Sequence, residues 1–85
     1  MQDIRLKKIK IRCWRRGTKE MDLVLGRYAD ANLTSMSSHE LDHFEDLLAE
    51  EDVNIMSWIN QQIDTPLQFK VLVDRLRAYA IANPL

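Results

Sequence analysis

With two glycines and two prolines in 85 residues, this chain has few places at which to reverse direction. An all-β sandwich turns every ~8–12 residues and relies on those residue types to do it, so that class is excluded. Disorder is excluded as well, because 46% of the residues are hydrophobic and 29% charged, more apolar surface than disordered sequences carry. Helices remain. At this length the chain makes one domain, residues 1–85, with a core near the lower limit of independent stability. The expected fold is all-α, a compact single-domain antiparallel bundle of about five short helices.

Hydrophobic spacing divides the chain into those helices. In residues 2–15, Leu6, Ile9 and Cys13 share one face, Ile4, Ile11 and Trp14 lie on another, and Arg5, Lys8, Arg12 and Arg15 form a basic stripe. In residues 18–32, Met21, Val24, Leu25 and Tyr28 fall within one apolar arc. The run Ser37-Ser38-His39-Glu40 is a capping box opening a third helix that reaches about Glu50, with Leu41, Phe44 and Leu48 inward and Leu47 at the edge. Asp52 is the expected cap of a fourth helix, with Ile55, Ile59 and Ile63 in line, Met56 beside them and Trp58 filling the gap between neighbours. Thr65-Pro66-Leu67-Gln68 predicts the fifth start: a threonine cap, proline at the first helical position, and glutamine completing a box. Phe69, Leu72, Val73, Leu76, Tyr79 and Ala80 line that helix, which stops near Asn83-Pro84.

Charge is segregated along the sequence. Residues 1–19 hold eight cations against Asp3 alone, and residues 20–64 hold eleven carboxylates against Arg27 alone, so the two regions attract. Three readings of the basic stripe stand open: docking on an acidic partner, a solvated face whose stems cover apolar surface, or contact with nucleic acid. A nucleic-acid reader would also be expected to interleave aromatic residues and to supply a second basic helix, and neither is present. His39, His43, Asp46 and Glu50 recur at helical spacing with metal-ligand chemistry. They belong to one element and sit amid seven acids between Glu40 and Asp52, so they read as a solvated face without a supporting second layer. The single cysteine, Cys13, allows no intrachain disulfide and no multi-cysteine zinc framework, which fits a reducing compartment. Neither a secretory signal nor a membrane span is legible at the N-terminus, so the expected location is cytoplasmic.

Between the first two helical patterns lies Trp14-Arg15-Arg16-Gly17-Thr18-Lys19-Glu20-Met21-Asp22, where cations, a glycine and two carboxylates crowd together. Glycine in such a position marks a corner. Arg16 and Glu20 then flank the bend, either as a surface ion pair contributing well under ~1 kcal/mol or as part of a docking patch. Glu20 and Asp22 fall in the first turn of the next helix, where the helix dipole favours carboxylates by a few tenths of a kcal/mol, so they are poor general acids.

The nonapeptide, with Leu23 to Gly26 and Tyr28-Ala29-Asp30 after it, resembles the succinate dehydrogenase assembly factors called flavinators, the SdhE family. The similarity extends through the acidic helix, the Asp52-to-Trp58 segment and the final apolar helix, covering most of residues 9–80. The resemblance implies a helical protein that is not itself an enzyme and holds no stable cofactor. It implies a protein, monomeric when free, that binds the flavoprotein subunit of succinate dehydrogenase, and in some bacteria fumarate reductase, and promotes covalent attachment of FAD there. Carried over residue by residue, it implies a partner-binding patch of Arg16, Gly17, Glu20 and Asp22 with Arg12 and Arg15 adjoining. The runner-up reading is a small nucleic-acid-binding module using the basic first helix.

Overall fold

Residues three and four apart bury one face of each helix, and five α-helices result. The computed structural model describes residues 2–84 and contains α1 (Gln2–Trp14), α2 (Lys19–Asn32), α3 (Ser38–Leu48), α4 (Asp52–Ile59) and α5 (Lys70–Ala82), with no strand among the described residues. Single 3₁₀ turns at Leu33–Ser35 and Leu67–Phe69 lead into α3 and α5. The all-α bundle is the expected one. Its core takes Ile9 and Cys13 from α1, Met21, Leu25 and Tyr28 from α2, Leu41, Phe44, Leu47 and Leu48 from α3, Ile55 and Trp58 from α4, and Leu72, Val73 and Leu76 from α5. No polar or charged side chain is buried among the described residues, so this core asks for no internal hydrogen bonds.

The α1–α2 pair is the closest contact in the bundle. The Trp14 ring lies flat over Gly26: a Cβ built on that glycine would sit 2.8 Å from Cε3 and closer still to Cδ2 and Cε2. Trp14 Nε1–H donates to Asp30 Oδ1 one turn further along α2 at 3.2 Å, and Lys10 Nζ approaches the same carboxylate at 3.7 Å. Moving back along α1 from Trp14 to Lys10 thus moves forward along α2, which makes the pair antiparallel.

Both glycines of the sequence are used elsewhere, so helix C-termini are closed without them. Arginines do much of this. Arg16 donates to Leu48 O at the last residue of α3 and to Glu50 O just beyond it, Arg77 to Trp58 O and Ile59 O at the end of α4, and Arg27 to Asn83 O at the end of α5. Each supplies donors and positive charge to carbonyls at helix C-termini, where intrahelical partners run out. At α4 the backbone adds a Schellman turn: Gln61 N–H reaches Trp58 O at 3.2 Å, Gln62 N–H reaches Ser57 O at 2.8 Å, and Gln61 adopts φ 60° where glycine is usual.

Four boundaries differ from expectation, each for a local reason. Because α4 is terminated by that Schellman turn, Ile63 leaves the line of Ile55 and Ile59 and is exposed. Asp52 is not the N-cap; Glu51 holds that position and Asp52 enters the first turn facing Arg16. α3 stops at Leu48 rather than near Glu50, the carbonyls beyond being taken by Arg16. The Thr65–Gln68 box does not form: Pro66 is extended, no side chain caps the 3₁₀ turn Leu67–Phe69, and α5 begins at Lys70. The tighter turn seats Phe69 against Trp58 and His43, with ring centroids 5.8 and 5.6 Å away. The Ser37–Glu40 box does form in both directions.

Two tests follow from this packing. Ordinarily an interior helical glycine gains ~0.5–1 kcal/mol on replacement by alanine, but Gly26→Ala should instead lower stability by ~1–3 kcal/mol because the added carbon overlaps Trp14. A denaturant midpoint at or above wild type would show that the ring yields freely. The Ser37 backbone N–H and hydroxyl hold the Glu40 carboxyl below its ordinary range. A group depressed in this way contributes stability at pH values above its unfolded-state pKa and loses it as pH falls through the folded one. Glu40→Gln should therefore flatten the part of the stability profile below about pH 4.5, the ordinary carboxyl value, and a slope there equal to wild type counts against the box as its source.

Candidate functional site

The corner between α1 and α2 is built around one glycine at positive φ and one fork. Gly17 has φ +113°, a conformation L side chains rarely adopt, and it turns the backbone between Arg16 and the α2 cap. Thr18 Oγ1 accepts from Met21 N–H at 3.3 Å and Thr18 O from Asp22 N–H at 3.0 Å, which starts α2. Asp22 Oδ1 reaches back to accept the Arg16 N–H at 2.6 Å. The Arg16 guanidinium then points away from solvent: Nε donates to Asp52 Oδ1 at 2.7 Å, Nη1 to Leu48 O at 2.7 Å and Nη2 to Glu50 O at 2.9 Å. Its side chain is 12% exposed. The corner is thereby tied to the α3–α4 junction.

The six residues singled out in the sequence divide accordingly. Arg15, Gly17 and Glu20 are exposed at the corner, and no ion pair among the described residues involves Arg15 or Glu20. Arg16 and Asp22 are turned inward and hold the loop. Arg12, one turn before the corner, is exposed and lies 3.8 Å from Glu45 Oε2. The Arg16–Glu20 surface pair considered from the sequence does not form, since Arg16 finds Asp52, thirty-six residues away. Beyond their place in the family resemblance, sequence reasoning gave Asp52 only the role of a helix cap and Gly26 no role. The excess of acid after residue 20 was the one signal that a distant carboxylate would answer an arginine of the corner.

Charge segregation is answered within the molecule. Arg5 pairs with Asp42 and with Glu45, its Nε lying 2.9 Å from Glu45 Oε1, and those two carboxylates raise its pKa further. Arg5 and Arg12 are thus neutralised on α3, while Lys8 and Arg15 make no ion pair among the described residues. Among the described residues no group of three or more His, Cys, Asp or Glu is placed to hold a metal ion, and the His43 ring packs on Phe69. Burial pushes the Cys13 thiol up to about 12, against the pull of Arg16 and Arg12, so it is inert as a nucleophile. No helix among the described residues is long and apolar enough to cross a membrane.

The corner is a glycine bend braced from beneath, with the Glu20 carboxylate and the Arg15 guanidinium exposed and in no ion pair among the described residues. The brace is testable apart from any function. Arg16→Lys keeps the charge but loses the planar fork that reaches three acceptors, and should lower stability by about 2 kcal/mol. A denaturation midpoint equal to wild type would show that the fork is dispensable.

Comparison with known proteins places this geometry in context. Residues 7–80 match a family described as flavinator of succinate dehydrogenase. The succinate dehydrogenase assembly factor 2, mitochondrial, of Meyerozyma guilliermondii is 43% identical over 54 residues, 62% of this chain and 40% of that protein. The protein of the same name from Debaryomyces hansenii is 36% identical over 69 residues, 80% of this chain and 49% of that protein. The FAD assembly factor SdhE of Acetobacter pasteurianus is 31% identical over 62 residues, 73% of this chain and 57% of that protein. The chain spans about half the length of these curated relatives. No solved structure matches it.

Proposed function

This chain belongs to the family of succinate dehydrogenase flavinators, and from that premise we propose that it is an assembly factor that binds the flavoprotein subunit of succinate dehydrogenase and promotes covalent attachment of FAD. The observation that carries the reading is that the family match, residues 7–80, includes the braced corner, where Arg15, Gly17 and Glu20 are exposed. The FAD–histidine bond forms within the flavoprotein in this reading, so the assembly factor supplies no catalytic group and keeps no cofactor of its own. Its contribution is selective binding. Each ~1.4 kcal/mol by which it prefers the bond-competent conformer multiplies that conformer's relative population about tenfold. Arg15, Gly17 and Glu20 make the contact, Arg12 adjoins it, and Arg16 and Asp22 hold the loop in place. A monomer meeting its partner in the cytoplasm completes the proposal. The fungal relatives are named mitochondrial, and imaging of the tagged protein in its own cells decides the compartment.

The test measures covalent flavin on the flavoprotein subunit, read as fluorescence after denaturing electrophoresis, in cells lacking this protein and supplied with variants. Wild type should restore the signal and Gly17→Val should not, since a β-branched residue at φ +113° carries ~1–3 kcal/mol of backbone strain and meets whatever approaches the corner. Apart from its chain neighbours, nothing lies within 4 Å of a Cβ at that position, so backbone strain rather than crowding of the first carbon is the internal cost. Glu20→Ala should weaken flavoprotein binding by ~2 kcal/mol with a melting temperature close to wild type. Full covalent flavin with Gly17→Val, or a flavin absorption band near one equivalent in the purified protein, would sink the reading.

A further inference from the structure

Glu20 stands on a ridge between two apolar hollows. On one side Met21, Val53 and Met56 help to line a hollow of about 400 Å³ between α2 and α4. On the other, Leu23, Val24 and Tyr79 help to line one of about 210 Å³ between α2 and α5. The other charged residues on these walls are already engaged, Asp52 by Arg16 and Arg27 by the Asn83 carbonyl. Glu20 is the one carboxylate on these walls without an ion-pair partner among the described residues, and Arg27 is a cation on the far wall of the second hollow that donates to a neutral carbonyl. Val53 is 67% exposed at the rim, an apolar side chain that the described residues leave uncovered. Beside Glu20 the backbone at Gly17 is open, with no atom within 4 Å of a would-be Cβ, so a second polypeptide can approach closely.

A charge ringed by apolar surface is how energetically dominant contacts are built, because the apolar neighbours exclude water and strengthen the central pair. Resting on the flavoprotein-binding reading above, we infer that the flavoprotein docks here through a lysine or arginine set on Glu20 between two apolar side chains, one seated in each hollow. At Glu20 itself the charge fixes the sign: a carboxylate set on it would meet repulsion, and a purely apolar side chain would bury it unpaired, while Arg27 and Arg15 lie at the margins of the contact. A second copy of this protein is the competing occupant, since α1 shows Lys8 between the exposed Ile4 and Ile11. Such a contact joins two different surfaces and tends toward open filaments rather than a closed pair, which favours the flavoprotein.

Binding of the purified flavoprotein subunit would be measured by calorimetry for wild type, Val53→Lys, Ala80→Lys and, as a control on exposed apolar surface outside both hollows, Leu67→Lys. Val53 and Leu67 are 67% and 89% exposed, so circular dichroism melts of those two variants should overlay wild type. Lysine at position 53 or 80 puts a competing cation beside Glu20 and fills a hollow; each should weaken binding about tenfold or more, while Leu67→Lys stays within about twofold. If wild type binds and restores covalent flavin but Val53→Lys binds within about twofold of it, the docking face is wrong and the proposed function stands. If wild type neither binds nor restores flavin, that functional reading fails and the inference falls with it. Should the protein self-associate, and Val53→Lys abolish this while flavoprotein binding persists, the face belongs to a second copy and the inference is overturned.

Discussion

The fold depends most on what the Arg16 guanidinium does. A small bundle with short connections must close every helix end, and the end of α3, the start of α4 and the α1–α2 corner converge on one place. One planar fork meets all three, two donors on carbonyls at the end of α3 and the third on Asp52 in the first turn of α4. Lysine has the charge for this but not the geometry. Arg77 repeats the arrangement on a smaller scale, donating to Trp58 O and Ile59 O while pairing with Asp74. Arginines thus cap the helix ends of a protein with almost no glycine to spare.

The two glycines are needed for opposite reasons. Gly26 has ordinary helical surroundings and no room, since the Trp14 ring occupies the space its Cβ would take. Gly17 has room and no freedom, with open space around it and a backbone angle closed to most L residues. Only the second was legible from sequence, because a glycine between two helical patterns announces a turn. A glycine inside a helical pattern announces nothing about what lies across from it, and the tryptophan that explains it belongs to a different helix.

The same division governs the rest. Helix number, the inward stripes and the Ser37–Glu40 box depend on residues within four positions of one another, so periodicity displays them. The failed Thr65–Gln68 box was equally local and still misled, because seating Phe69 beside Trp58 and His43 is a tertiary demand that shortens the helix start. At the corner the sequence located the right stretch but could not sort its side chains. Arg15 and Arg16 are neighbours of identical charge in the basic N-terminal region, yet one faces solvent and the other is 12% exposed. What separates them is Asp52, thirty-six residues on, and no local pattern carries that.

This sorting changes how losses at the corner should be understood. Arg16 and Glu20 sit on either side of Gly17, and under the docking proposal the loss of either is costly. The causes would differ. Without Arg16 the carbonyls of Leu48 and Glu50 and the carboxylate of Asp52 lose their donors, α3 and α4 lose their common tie, and the corner that aims Glu20 is released. Without Glu20 none of those bonds is touched, because no hydrogen bond or ion pair among the described residues uses its side chain. An unpaired carboxylate between two hollows contributes nothing visible to the isolated fold, and the apolar surface beside it is left open to water. Surface of that kind acquires an energetic role only when something covers it, which is why the docking proposal rests on the exposed residues of the corner rather than on its well-bonded ones.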